Sequence, residues 1–154
     1  MSEVIHPFDE TGIARGADGV ARYQNRPRSL LEVLRRSVDK SPNAEAVVEV
    51  GGERLTYQAL WDRAARVAGG LRASGVQPGD RVAIRLGNCA NWCIAFFGTQ
   101  MAGAVAVPVN TRFTEPEVDY VVKDSGSKFV FMPGQPLVEG AGSVRRFSPR
   151  ARRP

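Results

Sequence analysis

Residues 77–110 read Gln77-Pro78-Gly79-Asp80-Arg81-Val82-Ala83-Ile84-Arg85-Leu86-Gly87-Asn88-Cys89-Ala90-Asn91-Trp92-Cys93-Ile94-Ala95-Phe96-Phe97-Gly98-Thr99-Gln100-Met101-Ala102-Gly103-Ala104-Val105-Ala106-Val107-Pro108-Val109-Asn110, and their reading decides the fold. Gln77 to Asp80 is a turn, because proline presets one backbone angle and glycine accepts the next. Arg81 to Leu86 follows as a strand with Val82, Ile84 and Leu86 on one face. A helix is predicted from about Cys89 to Ala102, with Asn88 or Asn91 as its cap and Gly103 as its terminator. It is apolar nearly all round, so burial on most sides is expected. Ala104 to Val109 reads as a strand buried on both faces, as in parallel sheets.

The pattern continues on the C-terminal side. Thr114 and Glu117 form a capping-box signature, with Pro116 in the first turn, where its missing N–H costs little. Val118, Val121 and Val122 face inward on a helix expected to end near Asp124, and Lys128 to Phe131 makes a last strand. Strand–helix–strand–helix–strand implies parallel strands joined by crossover helices, an α/β layered fold.

On the N-terminal side, Thr56 caps a helix whose apolar stripe is Leu60, Ala64, Val67, Ala68 and Leu71, and Gly75 stops it. Before it, Glu45 to Val50 and Glu53 to Thr56 flank Gly51-Gly52 as a tight hairpin. Ser29 and Glu32 form another capping-box signature, opening a helix with Leu30, Leu31, Leu34 and Val38 on one face and ending before Pro42. Residues 1–28 show no clear period and are expected to form an irregular arm.

Apolar residues make up 43% and charged residues 24% of the 154, a composition that supports a packed domain and argues against wholesale disorder. No apolar run reaches the roughly 18 residues of a membrane span. No signal peptide is visible, and two cysteines do not make a disulfide framework, so a reducing cytoplasmic location is expected. The net charge of +5 suggests an anionic partner until it is placed along the chain. Residues 132–154 hold five arginines and one acid, leaving 16 basic and 15 acidic side chains elsewhere. The excess therefore belongs to a Pro/Arg-rich tail, expected to be disordered, and not to a folded binding face.

The search for chemistry is mostly negative. The chain contains no G-x-x-x-x-G-K-[ST], no G-x-S-x-G, and no G-x-G-x-x-G after a strand. The sole histidine, His6, lies in the N-terminal arm. Cys89 and Cys93 supply at most half a zinc site and are read as small apolar core residues. Trp92, Phe96 and Phe97 have helical spacing and are also read as core. Arginines 145, 146, 150, 152 and 153 lack the interleaved aromatics and folded reader of a nucleic-acid site. No residue is assigned a catalytic, cofactor-binding or metal-binding role.

Four stretches, taken in order, resemble the adenylate-forming (AMP-binding) enzyme superfamily. Leu55-Thr56-Tyr57-Gln58-Ala59-Leu60 is similar to its motif L-[ST]-Y-x-E-L, with Ala59 in place of Glu. Pro78 to Val82, followed by Gly87-Asn88, keeps the family's order. Gln100 to Asn110 resembles L-K-A-G-x-A-Y-V-P-[LI]-[DN], and Thr114 to Ser125 resembles T-x-x-E-[VL]-x-Y-[VI]-[VL]-x-D-S. The resemblance covers about residues 29–131, and Pro108-Val109-Asn110 is closer to acyl-CoA synthetases than to peptide-synthetase domains. It implies ATP, Mg2+ and CoA as the full-length family's cofactors and a carboxylic acid as substrate. The implied reaction makes an acyl-adenylate and pyrophosphate, and the CoA thiol then displaces AMP.

The matched residues are scaffold: a cap, a terminator, a strand-ending proline. The family's phosphate loop ending in Pro-Lys, its Thr-Glu pair, its ribose-binding Asp and its C-terminal Lys have no counterparts here. Lys40, Lys123 and Lys128 sit in no such context. The expected organisation is an arm over 1–28, a partial N-terminal synthetase subdomain over 29–131 and a tail over 132–154. From about Ala141 the tail resembles nothing in the family and reads as an out-of-frame continuation. The expected function is that of an N-terminal fragment of an acyl-CoA synthetase, inactive alone. The alternative is a non-catalytic interaction module completed by a partner chain. Nucleic acid is not an expected partner, and the oligomeric state is not legible.

Overall fold

The computed structural model describes residues 10–135 and Leu137. Its centre is a three-stranded parallel sheet of β5 (Arg81–Ile84), β6 (Val105–Pro108) and β7 (Phe129–Phe131), in the order β6-β5-β7. The Gln77–Asp80 turn that opens β5 closes with Asp80 N–H donating to the Gln77 carbonyl at 3.0 Å. Gly79 takes φ +85 there, the left-handed angle the third turn residue requires. The chain leaves β5 through α3 (Ala90–Met101) to β6, then returns through α4 (Glu115–Ser125) past β5 to β7.

Opposite lateral steps put the two helices on opposite faces, as right-handed crossovers demand. The pleat divides β5 accordingly. Val82 and Ile84 join Phe129, Phe131, Ile94 and Ala95 in the larger core, while Ala83 joins Val109, Val118 and Val122 in the smaller one. The architecture is the expected α/β layered sheet, preceded by a helix and a β-hairpin.

That preceding part covers the α3 face. Helix α1 (Leu30–Lys40), the hairpin β3 (Glu45–Val48) and β4 (Arg54–Thr56), and α2 (Tyr57–Ala73) lead into the sheet. Thr56 caps α2 by accepting from Ala59 N–H at 3.1 Å, and all five residues of the predicted stripe are buried. α2 and α3 cross closely at Gly98, where an added Cβ would lie 2.6 Å from Val67 Cγ1 and 3.0 Å from the Ala64 carbonyl oxygen.

The structure departs from expectation in six places. Within the arm expected to be irregular, β1 (Ile13–Arg15) and β2 (Ala21–Tyr23) pair antiparallel around an Asp18–Arg22 ion pair. Ser29 accepts from Glu32 N–H, yet Glu32 takes the Arg28 N–H and not that of Ser29, so the first capping box is half formed. Leu30 points out and is 54% exposed, because the buried face of α1 is set by Leu34 and Val38. The β3–β4 connection runs over residues 49–53 and is closed by a turn from Glu49 to Gly52, with Gly51 at φ +72, and is not a two-residue one. Cys89, not Asn88 or Asn91, takes the cap position of α3, and its side chain makes no capping bond. Finally β6 is an edge strand with Val105 and Pro108 exposed, so its apolar run is not covered on both faces.

Candidate functional site

Two places where the strands and helices meet could serve as a site. The first lies at the C-terminal edge of the sheet, between β5 and β6, where the two crossovers depart to opposite faces. Open α/β sheets bind ligands at such a switch point. Here the position is held by Arg85, one residue past β5. Its Nη1 lies 2.6 Å from Glu115 Oε1 and its Nη2 donates to the Phe113 carbonyl at 2.7 Å. Its backbone N–H meets the Phe131 carbonyl at 2.9 Å, and its buried Nε has no partner. The guanidinium is thus spent on joining the end of β5 to the entry of α4, while the backbone N–H ties it to β7. Beside it, Asn110 Oδ1 accepts from Arg112 N–H at 2.9 Å, folding the loop after β6 on itself.

The capping box of α4 completes this edge. Glu117 Oε2 accepts from both the N–H and the hydroxyl of Thr114, each at 2.8 Å. Those bonds, the hydroxyl's first, hold the Glu117 carboxyl below the usual glutamate range. This is a carboxylate stabilised in its charged form at a helix N-terminus, a scaffold role and not that of a proton shuttle.

The second region is an open groove of about 290 Å³ between the β3–β4 hairpin and the start of α3. Val47, Val48, Ala90 and Trp92 form apolar walls, and Glu49, Asn88, Cys89 and Cys93 supply its polar side chains. Glu49 Oε2 accepts from Ala90 N–H at 3.0 Å, capping α3 from 41 residues away. Cys89 and Cys93 are half-buried free thiols on this groove; Cys93 also packs against the larger core, as the sequence suggests, while Cys89 sits at the cap of α3. Burial, followed by the neighbouring Cys89, pushes the Cys93 thiol up, which disfavours a nucleophilic thiolate.

Trp92, Phe96 and Phe97 behave more as expected. Trp92 stacks on Phe96 with centroids 5.2 Å apart, Phe97 meets Phe96 edge-on, and all three lean half-buried on the larger core. Lys40, Lys123 and Lys128 are exposed. His6 and the five tail arginines lie outside the described residues, as does most of the 132–154 segment. Among the described residues, no group of three or more His, Cys, Asp or Glu side chains is arranged to hold a metal. No helix there is long and apolar enough to cross a membrane. With both terminal nitrogens of Arg85 already bonded to Glu115 and a backbone carbonyl, these residues do not form an ATP–Mg2+ clamp, and no catalytic step is derived through one.

Arg85 and Glu49 were missed in the sequence, since each acts through a partner about 30 or 40 residues distant. The one local sign for Arg85 is a charge directly after the apolar Val82-Ala83-Ile84.

Residues 34–151 match the family described as AMP-binding enzyme. That match continues through most of the Pro/Arg-rich segment, beyond the point where the quoted motifs stop. A long-chain-fatty-acid–CoA ligase, FadD13 of Mycobacterium tuberculosis, is 41% identical over 110 residues, which is 70% of this chain and 22% of that protein. A feruloyl-CoA synthase of Amycolatopsis sp is 48% identical over 92 residues, 60% of this chain and 18% of that one. The crystal structure of the N-terminal domain of FACL13 from M. tuberculosis superposes with a TM-score of 0.60 at 44% identity, covering 63% of this chain and 25% of that one. The chain thus spans about a fifth of the length of these curated relatives.

Proposed function

The chain belongs to the AMP-binding enzyme family, and on that premise we propose that residues 29–131 serve as the N-terminal scaffold of an ATP-dependent acyl-CoA synthetase. In the reaction so proposed, a carboxylate oxygen attacks the α-phosphorus of ATP and releases pyrophosphate. The CoA sulfur then attacks the acyl carbon and AMP leaves. The observation that carries this reading is the parallel β5–α3–β6–α4–β7 unit, whose turn, cap and terminator residues are the ones that follow the family's motifs in order.

Within this division, residues 1–28 precede the scaffold and residues 132–154 follow it. The 154 residues by themselves do not carry out adenylation. Two structural facts support this. Arg85, the guanidinium at the switch point, is bonded internally, and the carboxylates of Glu49, Glu115 and Glu117 all cap helices or pair with that arginine. Charge stabilisation of a phosphoryl transition state needs cations free to meet it. A cytoplasmic setting suits a pathway that consumes ATP and CoA.

Grafting tests the scaffold role. Residues 29–131 replace the matching segment of the M. tuberculosis ligase, and carboxylate-dependent AMP release is measured. The expected result is a soluble chimera that retains activity. A chimera that folds and melts like the parent yet releases no AMP contradicts the proposal.

A further inference from the structure

We propose that the groove between the β3–β4 hairpin and α3 is the docking site for Val144-Arg145-Arg146-Phe147 of this same chain, which lie outside the described residues. At about 290 Å³ the groove is just under the roughly 300–1,000 Å³ of small-molecule pockets, so it suits one or two side chains and not a nucleotide. Val47, Val48, Ala90 and Trp92 give it apolar walls, and Glu49 is the one charged residue lining it. Glu49 Oε2 is held by Ala90 N–H at 3.0 Å, while its other carboxylate oxygen meets no donor among the described residues. A fixed carboxylate beside an indole is a receptor for a guanidinium, which can bond the open oxygen and lie over the ring.

Three observations select the occupant. The first is where the chain goes after the sheet. Leu137, six residues beyond β7, packs against the larger core, and Val47, Ala90, Trp92 and Cys93 of the groove belong to that cluster or lean on it. From Leu137 the segment begins seven residues on and ends at ten, a reach of up to about 23–36 Å in extended chain. The radius of gyration expected for a domain of this size is roughly 14 Å, so length is no obstacle. The second is charge: the groove is lined by one acid and no base, while residues 132–154 hold five arginines and one acid. The third is composition. Phe147 is the sole aromatic residue of 132–154 and directly follows Arg145-Arg146, so a guanidinium and a ring arrive together. Arg150, Arg152 and Arg153 offer no such pair. In the docked state an arginine of the pair bonds Glu49, and Phe147 takes up the apolar space against Val47 and Val48. This contact goes beyond the synthetase reading and does not depend on it.

The full 154-residue protein is prepared with p-benzoylphenylalanine at position 147, irradiated in dilute solution, and its attachment point is read by mass spectrometry. Attachment is expected within one chain, to residues 47–49 or 88–93. Reversing both charges of the pair, Arg145→Glu with Arg146→Glu, should lower that yield at least about fivefold. Glu49→Gln should do the same, although its amide oxygen can still accept from Ala90 N–H. Arg152→Glu with Arg153→Glu should leave the yield within about twofold. If the Glu49 variant misfolds, the tail variants decide alone, since they alter no described residue. Attachment elsewhere on the chain, attachment between chains, or equal yields after reversal of either arginine pair overturns the proposal.

Discussion

Arg85 Nη1 lies 2.6 Å from Glu115 Oε1, and this contact ties the end of the central strand to the first turn of α4. The two side chains are unequally placed: Arg85 is 12% exposed and Glu115 is 72% exposed. The exposed partner is therefore cheap to lose and the buried one is not. Glu115→Gln is expected to cost less than about 1 kcal/mol. Arg85→Ala removes the buried stem and strands the Phe113 carbonyl, at an expected cost of about 2–3 kcal/mol. Urea unfolding of both variants checks the asymmetry, and equal costs would contradict it.

Gly98 and Gly69 lie on neighbouring helices and should respond to alanine in opposite senses. A Cβ at Gly98 meets Val67 Cγ1 at 2.6 Å, whereas one at Gly69 meets nothing within 4 Å. Overpacking costs about 1–3 kcal/mol and outweighs the gain of up to ~1 kcal/mol from helix propensity. Gly98→Ala should lower the denaturation midpoint and Gly69→Ala should raise it.

Thr99 is wholly buried on α3, and its hydroxyl oxygen has no hydrogen-bond partner. Replacing an unsatisfied buried hydroxyl by a methyl of the same shape removes a desolvation penalty of about 1–3 kcal/mol. Thr99→Val is expected to raise the thermal midpoint. A fall would show that the hydroxyl has a partner after all.

Acid should act late on the carboxylates of Asp18 and Glu117. The Arg22 guanidinium, followed by the Val20 N–H, lowers Asp18 to about 2. Glu117 is lowered by the Thr114 hydroxyl and then by the Thr114 N–H. A depressed folded pKa contributes stability that is complete above the unfolded value and is lost as pH falls through the folded one. Thr114→Val should bring the Glu117 carboxyl back towards its ordinary range, as read by NMR titration of its side-chain carbon. No movement would mean that the hydroxyl bond is not formed in solution.

Much of the fold was legible because its signals are local. Thr56, Thr114 with Glu117, and the Pro78-Gly79 turn each satisfy backbone groups within four residues, and each stands where the sequence places it. The cap of α3 was not legible, because Glu49 reaches Ala90 from a separate hairpin. The exposure of Val105 was not legible either. An apolar strand looks the same at the centre and at the edge of a sheet, and only pairing with β5 alone distinguishes β6. At the candidate site the same rule holds: residue types were visible, but the neutralisation of Arg85 by Glu115 depends on a contact spanning 30 residues.

The central claim is that this chain supplies scaffold and not catalytic groups, and ATP–pyrophosphate exchange tests it most directly. The purified 154-residue protein is incubated with labelled pyrophosphate, ATP, Mg2+ and fatty, aromatic and short-chain carboxylates. The account predicts no carboxylate-dependent label in ATP with any of them. Label that appears only when a carboxylate is present, and persists after repurification, would contradict it.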